Sequence, residues 1–192
     1  MSINFKCYIC RLNLFKKLHK GFKYLLVIFC LISFRFQQPS NFDTNSKIKA
    51  VFLYNFTRYF EWPATKKEGN FIIYVVGKNE NLITELKGLS GKKKVGNQEI
   101  EIKHSLSFDA SIQSQIIYLL SDAGKSVGDV ASKNKNKGGL VVSETAGACK
   151  QGSSINFVVV DNKLKFEYQK NNAVKSGLKT NDDFKALAIN VD

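Results

Sequence analysis

The sequence predicts a single α/β domain in which helices cover both faces of a mixed, largely parallel sheet, a three-layer α/β/α arrangement. Two short apolar runs, at residues 71–76 and 116–120, have the composition of strands that are buried on both faces. Stretches with helical periodicity separate the apolar runs, and this alternation is typical of a parallel sheet. Near the C-terminus, two strand-like runs flank Asp161-Asn162, which is typical of a β-hairpin, and helices follow it.

The domain is predicted to open with an aromatic-rich amphipathic helix, KIKAVFLYNFTRYFEWP, which begins at Lys47. Pro63 disfavours helical geometry at Trp62, so the helix is expected to end there. The residues predicted to face the core are Ile48, Val51, Phe52, Phe56, Tyr59 and Phe60.

The rest of the chain is predicted to alternate strands and helices up to its end. The last helix is expected to bury Phe184, Leu187 and Ala188. The other predicted elements are a helix capped by Asn79 that ends near residue 89, a half-exposed strand at 99–103, a helix at about 125–132, a strand at 139–142, hairpin strands at 154–160 and 163–168, a helix at 171–176 capped by Asn171, and a final helix from 180 or 181 to about 189.

Two residues of the opening helix are candidates for binding a ligand or a partner. Asn55 falls among apolar positions, where its amide either bonds to the backbone inside the core or lines a site. Trp62 at the helix end is either a core residue with its N–H satisfied or an anchor for a partner. Both interpretations stay open at the level of sequence.

Two acidic residues, Asp122 and Glu144, each follow a predicted strand and are candidates for chemistry. Ligands of open α/β sheets bind at the carboxyl ends of strands, but such acids also cap the turns that follow. Glu144 is retained as a candidate binding residue, together with Asn156 of the hairpin. Because His104 is the only histidine after residue 40 and no nucleophile–base pair, metal set or phosphate loop is visible, we predict no enzyme activity, no cofactor and no metal site.

Charge and cysteine content differ between the first forty residues and the remainder. The chain carries 29 basic and 16 acidic residues, of which residues 1–40 hold seven basic and no acidic ones. The remainder therefore has an excess of only six positive charges. This excess is weak evidence for nucleic-acid binding, and we predict that nucleic acid is not a partner. Cys149 is the only cysteine after residue 40, so the predicted domain cannot form an internal disulfide.

Residues 1–40 are predicted to be a signal peptide or an N-terminal anchor followed by a linker, and residues 41–192 the domain. Residues 24–34 form an apolar run of eleven, preceded by lysines, which is too short for an ordinary membrane span and typical of a signal peptide. An uncleaved membrane anchor and a buried cytoplasmic helix are the alternatives. Export of the domain would place it in the periplasm.

The helix 47–63 resembles the opening motif of the YfiR-like family of periplasmic regulatory proteins. The match continues through the strand that ends at Gly77 and a later block, and covers about residues 47–189. The matching residues are Phe52, Leu53, Tyr54, Asn55, Phe56, Phe60, Trp62, Pro63, Ser143, Glu144, Gly152, Ile155, Asn156, Phe157, Asn172, Ala173, Gly177 and Leu178.

The resemblance implies a periplasmic α/β protein without known catalytic activity. The best-understood member of the family restrains an inner-membrane diguanylate cyclase and is sequestered by an outer-membrane lipoprotein, which tunes cyclic-di-GMP signalling. We therefore expect a regulator that binds an inner-membrane signalling protein of the diguanylate cyclase or sensor kinase type, with an outer-membrane lipoprotein and a homodimer as further alternatives. Redox-sensing members carry disulfides, and Cys149 alone does not supply one.

A small-molecule-binding sensor module of the periplasm is the alternative function. In that case Asn55, Trp62 and Asn156 would converge on one pocket as polar and aromatic groups.

Overall fold

The computed structural model describes residues 44–191, so the predicted leader at residues 1–40 and its three cysteines lie outside the described residues. The described residues belong to a unit that spans residues 43–192. The α-helices within them are α1 (Thr44–Phe56), α2 (Glu80–Ser90), α3 (Val127–Lys133), α4 (Lys170–Lys175) and α5 (Asp182–Leu187), and short 3-10 helices lie at Ala64–Lys66, Ser121–Ser126 and Ala148–Gln151. The strands are β1 (Phe60–Glu61), β2 (Phe71–Val76), β3 (Lys94–Val95), β4 (Gln98–Ser105), β5 (Ile116–Leu119), β6 (Leu140–Ser143), β7 (Ile155–Val160), β8 (Lys163–Tyr168), β9 (Lys179–Thr180) and β10 (Ile189–Asn190).

Eight of these strands form one sheet in the order β10-β8-β7-β6-β5-β2-β4-β3. The five strands from β7 to β4 are parallel to one another. At the two ends of this set, β8 pairs antiparallel with β7 through Asp161-Asn162, and β3 pairs antiparallel with β4. Both turn residues have positive φ, 51° and 56°, as a tight hairpin turn of the right twist requires. The predicted α/β class with a mixed, largely parallel sheet is confirmed.

The two faces of the sheet are covered by different helices. Alternate residues of β2 show this, because Ile73 and Val75 pack in the cluster that contains α1 and α2, whereas Tyr74 and Val76 pack in the cluster that contains α3. Because both faces of the sheet are covered, its central strands are apolar on both sides, and β2, β5 and β6 therefore appear in the sequence as continuous apolar runs.

An aromatic cluster joins α1 to the hairpin and to α5. The ring of Phe56 lies 5.2 Å from that of Phe166 and 5.6 Å from that of Phe184. Phe184 also lies 4.9 Å from Tyr168 and 5.0 Å from Phe60, measured between ring centroids. The N-terminal helix and the C-terminal helix therefore close the same part of the core.

The prediction that the opening helix extends to Trp62 is wrong, because α1 ends at Phe56 and a turn follows it. Phe60 and Glu61 form β1 instead, which pairs antiparallel with β9. A distant segment thus supplies backbone partners that local periodicity does not reveal.

The predicted core face of α1 is wrong at two positions. Ile48 and Val51 are 37% and 45% exposed, whereas Ala50 and Leu53 are buried against the sheet. Apolar residues occur on several sides of this helix, so periodicity alone does not single out the side that meets the sheet.

The C-terminal predictions also need correction. The last helix ends at Leu187, and residues 189–190 form β10 beside β8. Phe184 is buried as predicted, but Leu187 is 57% exposed. The helix α4 is capped by Gln169 rather than by Asn171, since the Gln169 side chain accepts a hydrogen bond from the backbone N–H of Asn171.

Candidate functional site

Glu144 directly follows β6 and connects three separate segments at the carboxyl edge of the sheet. Its Oε2 accepts hydrogen bonds from Lys49 Nζ of α1, at 2.6 Å, and from the hydroxyl of Tyr118 on β5. Its Oε1 accepts a hydrogen bond from the backbone N–H of Ser121 at 3.1 Å. The carboxylate therefore fixes α1 to the ends of two neighbouring parallel strands.

The electrostatics of this group follow from its burial. The side chains of Glu144 and Lys49 are only 14% and 16% exposed. Burial alone raises the pKa of Glu144. The hydrogen bonds from Lys49, Tyr118 and the Ser121 N–H, together with the positive charge of Lys49, outweigh burial and leave the pKa below its usual value. Burial and the neighbouring Glu144 charge raise the pKa of Tyr118, so its hydroxyl remains a proton donor.

Asp122 holds the adjacent turn at the end of β2. Its carboxylate accepts a hydrogen bond from the backbone N–H of Lys78 at 3.0 Å. Gly77 precedes this turn with a φ of 113°, and a Cβ there would lie 2.8 Å from Leu120 Cβ and would overlap the Asp122 carboxylate. His104 lies on the other side of the turn, with Nε2 at 2.7 Å from the Gly77 carbonyl oxygen. These contacts are those of a capped, tightly packed turn.

Asn55 lies on the outer side of α1. It is partly exposed, and its side chain has no hydrogen-bond partner among residues 44–191. Ile48 and Val51 precede it at spacings that place all three on one side of the helix, and we call these residues the outer strip of α1. The amide that was expected among core residues is therefore available to solvent.

Trp62 is buried, with 6% exposure, and its indole N–H donates a hydrogen bond to the carbonyl oxygen of Gln115 at 3.0 Å. Its ring packs edge-on against Phe71 at 5.0 Å. Trp62 is also one of the residues that line a surface cavity of about 380 Å³ between β1 and residues 95–98. Trp62 thus serves the core, and its role in binding a ligand or partner stays a prediction.

Asn156 is completely buried in β7 and donates a hydrogen bond to Glu167 on β8 at 2.9 Å. Its side-chain oxygen has no partner. The four predicted site residues consequently lie at separate points of the fold: Asn55 on an outer helix surface, Trp62 against the amino end of β5, Glu144 at the carboxyl end of β6, and Asn156 within the hairpin. Their roles in binding stay predictions.

Sequence reasoning missed Lys49 and Tyr118, which are the partners of Glu144. The available signal was a lysine at an inward position of α1, beside Ala50 and Leu53, since such a lysine needs a carboxylate partner. No comparable signal marks Tyr118, because it stands within an apolar run.

Neither a metal centre nor a reactive thiol is evident in the part of the chain that the structure describes. Residues 44–191 contain no cluster of three histidine, cysteine, aspartate or glutamate side chains arranged to hold a metal ion. Cys149 is the one cysteine of this region, and burial together with the nearby Glu167 raises the pKa of its thiol to about 12. None of the helices within these residues is long and apolar enough to cross a membrane.

Comparison with protein families gives one match. A family model described as YfiR/HmsC-like (DUF4154) matches residues 46–188, which is well over half of the chain. A comparison with curated protein sequences finds no match. The region matched by the family model begins within α1 and ends after α5, so it includes every element of the eight-stranded sheet except β10.

Proposed function

The chain belongs to the YfiR/HmsC-like family, and from this premise we propose that it is a non-enzymatic periplasmic regulator that binds and restrains an inner-membrane signalling protein. At family level, membership implies a periplasmic regulator of a diguanylate cyclase, and the family consists of regulators rather than catalysts. The proposed partner is therefore a membrane protein of the diguanylate cyclase or sensor kinase type.

The outer strip of α1 is the observation that supports a protein partner most directly. Ile48 and Val51 expose β-branched side chains next to each other on one side of a helix whose opposite side is buried. Asn55 extends the strip with an amide that has no partner within residues 44–191. Adjacent apolar side chains beside an unpaired polar group are suited to a contact surface with a second protein.

The proposed mechanism is occupancy of the partner. Binding of the outer strip holds the membrane protein in its inactive form, and a competing molecule releases it. Competition of this kind requires different affinities for the two states, and a tenfold relief corresponds to about 1.4 kcal/mol. Rigid attachment of α1 through Lys49 and Glu144 keeps the strip in a fixed position for this contact.

Site-specific photo-crosslinking in the native cell tests the surface. A photoreactive amino acid at Val51 of the full-length chain is expected to capture an inner-membrane protein that contains a cyclase or kinase domain. The control position is Thr84, which is exposed on α2. Capture of the same proteins from both positions, or of a second copy of this chain or an outer-membrane lipoprotein alone, would contradict the assignment of the outer strip to an inner-membrane partner.

Cyclic-di-GMP measurements test the regulatory role. Deletion of the gene is expected to raise the cellular level of cyclic-di-GMP if the partner is a cyclase, and the wild-type chain is expected to restore it. Val51→Asp is expected not to restore the level, because it places a charge in an apolar contact, whereas Thr84→Asp is expected to restore it. An unchanged cyclic-di-GMP level after deletion would rule out a cyclase as the partner.

A further inference from the structure

A second surface feature, on the side of the sheet covered by α3, is independent of the outer strip of α1. A cavity of about 430 Å³ lies between α3, the 3-10 helix Ala148–Gln151 and α4. Its lining residues are Gly128, Ala131, Ser132, Lys135, Lys150, Gln151, Gly152, Asn172, Lys175 and Ser176. We call it the three-lysine pocket.

The charged residues that line this pocket are all lysines. Lys135, Lys150 and Lys175 come from three different segments, and all three side chains are exposed. None of them forms an ion pair within residues 44–191, and no aspartate or glutamate is among the lining residues. Three ammonium groups around one concave surface create a positive potential, which an anion with several charges would neutralise.

The floor of the pocket contains two polar side chains in fixed positions. Asn172 is only 9% exposed, and its amide nitrogen donates hydrogen bonds to the carbonyl oxygens of Cys149 and Ser153, at 2.7 and 2.8 Å. Both amide protons are thereby used, so Asn172 holds the backbone of Cys149 and Ser153 in place and has no proton left to donate to a ligand. Ser176 is 4% exposed, and its hydroxyl oxygen accepts a hydrogen bond from Asn134. The hydroxyl proton of Ser176 is therefore free to be donated to an oxyanion.

The composition of the lining narrows the class of ligand. Aromatic residues are absent from the lining, and stacking of nucleic-acid bases or of an apolar ring therefore has no platform there. The cavity is concave and has the size of a small-molecule site rather than of a protein contact.

We infer that the three-lysine pocket binds a small polyanion that carries phosphate or carboxylate groups. The ammonium groups of Lys135, Lys150 and Lys175 supply the charge, and the Ser176 hydroxyl donates a hydrogen bond at the floor. This site is separate from the outer strip of α1, so it adds a ligand to the proposed regulator rather than a second protein partner.

Calorimetric titration of the full-length chain with pyrophosphate and, separately, with citrate tests the inference at constant ionic strength. Saturable binding of at least one of these ions is expected. The variant Lys135→Gln/Lys150→Gln/Lys175→Gln is expected to weaken it by about tenfold or more, because each lysine contributes a partly screened charge interaction. Binding of pyrophosphate alone would indicate a phosphate ligand, and binding of citrate alone a polycarboxylate.

The control variant, Lys87→Gln/Lys92→Gln/Lys93→Gln, removes the same number of charges from an exposed region around the end of α2. It is expected to change the affinity by less than about twofold, since these exposed lysines do not line the pocket and their charges are screened by solvent and salt. Circular dichroism and the urea midpoint establish that both variants are folded. Failure of both ions to bind the wild-type chain, or an equal loss of affinity in the two variants, would overturn the inference.

Discussion

At the scale of single residues, Glu144 connects three separate segments of the described structure. Its carboxylate binds Lys49 of α1, Tyr118 of β5 and the backbone of Ser121. A carboxylate that is this well paired stabilises the fold through its ionised form, and its removal leaves a buried lysine without a counter-charge.

Glu144→Gln is expected to lower the free energy of unfolding by about 1–3 kcal/mol at neutral pH, because the substitution keeps the shape but removes the charge that Lys49 needs. The matched control is Glu99→Gln, which removes the ion pair between Glu99 and Lys94. The side chains of Lys94 and Glu99 are 58% and 60% exposed. This control is expected to cost less than about 0.5 kcal/mol. Urea unfolding of both variants measures the difference, and equal costs would contradict the role given to Glu144.

The difference in unfolding free energy between the wild-type protein and Glu144→Gln is expected to depend on pH. The pKa of Glu144 is lowered in the folded state, so its stabilising contribution is complete above the unfolded pKa of about 4.3 and is lost as the pH falls through the folded pKa. The stability difference between the wild type and Glu144→Gln is therefore expected to shrink below about pH 4. A difference that grows in acid would contradict a lowered pKa.

At the level of elements, the glycine within α2 and the glycine in the turn before it differ in backbone conformation and in packing. Gly88 is exposed within α2, and a Cβ there would meet no atom within 4 Å. Gly77 has positive φ and is closely packed against Leu120 and Asp122. Gly88 therefore lowers the stability of α2, whereas the backbone conformation and close packing at Gly77 require a glycine there.

Gly88→Ala is expected to stabilise the protein by about 0.5–1 kcal/mol, because alanine restricts the unfolded chain and favours the helix. Gly77→Ala is expected to destabilise it by at least about 1–3 kcal/mol, because the added Cβ clashes and the residue keeps positive φ. Thermal or urea unfolding of the two variants is the measurement. Stabilisation by Gly77→Ala would show that the turn has a different conformation.

Across the whole molecule, the aromatic cluster connects the two ends of the described chain. Phe184 of α5 lies within 5.0–5.6 Å of Phe56, Phe60 and Phe166, so the C-terminal helix closes the core that α1 opens. Contacts between residues so far apart in sequence form only in the complete fold.

Phe184→Ala is expected to lower the free energy of unfolding by about 3–5 kcal/mol, because it leaves a cavity among five aromatic rings. Leu187→Ala, in the same helix but at a position that is 57% exposed, is expected to change it by less than about 0.5 kcal/mol. Hydrogen exchange is expected to show that Phe184→Ala also loosens α1. Protection of α1 that is unchanged in this variant would mean that the two ends of the domain are not coupled.

The sequence by itself determined the α/β class, the buried strands β2, β5 and β6, and the family, because continuous apolar runs and ordered motifs are local properties of a chain. Only the tertiary structure decided where α1 ends and which of its sides is buried. The pairing of β1 with β9 and the contact of β10 with β8 depend on segments that are far apart in sequence. The same holds for the functional surfaces: the partners of Glu144 and the three lysines of the pocket come from separate elements. Their proximity results from the packing of the sheet and its helices, which no local pattern records.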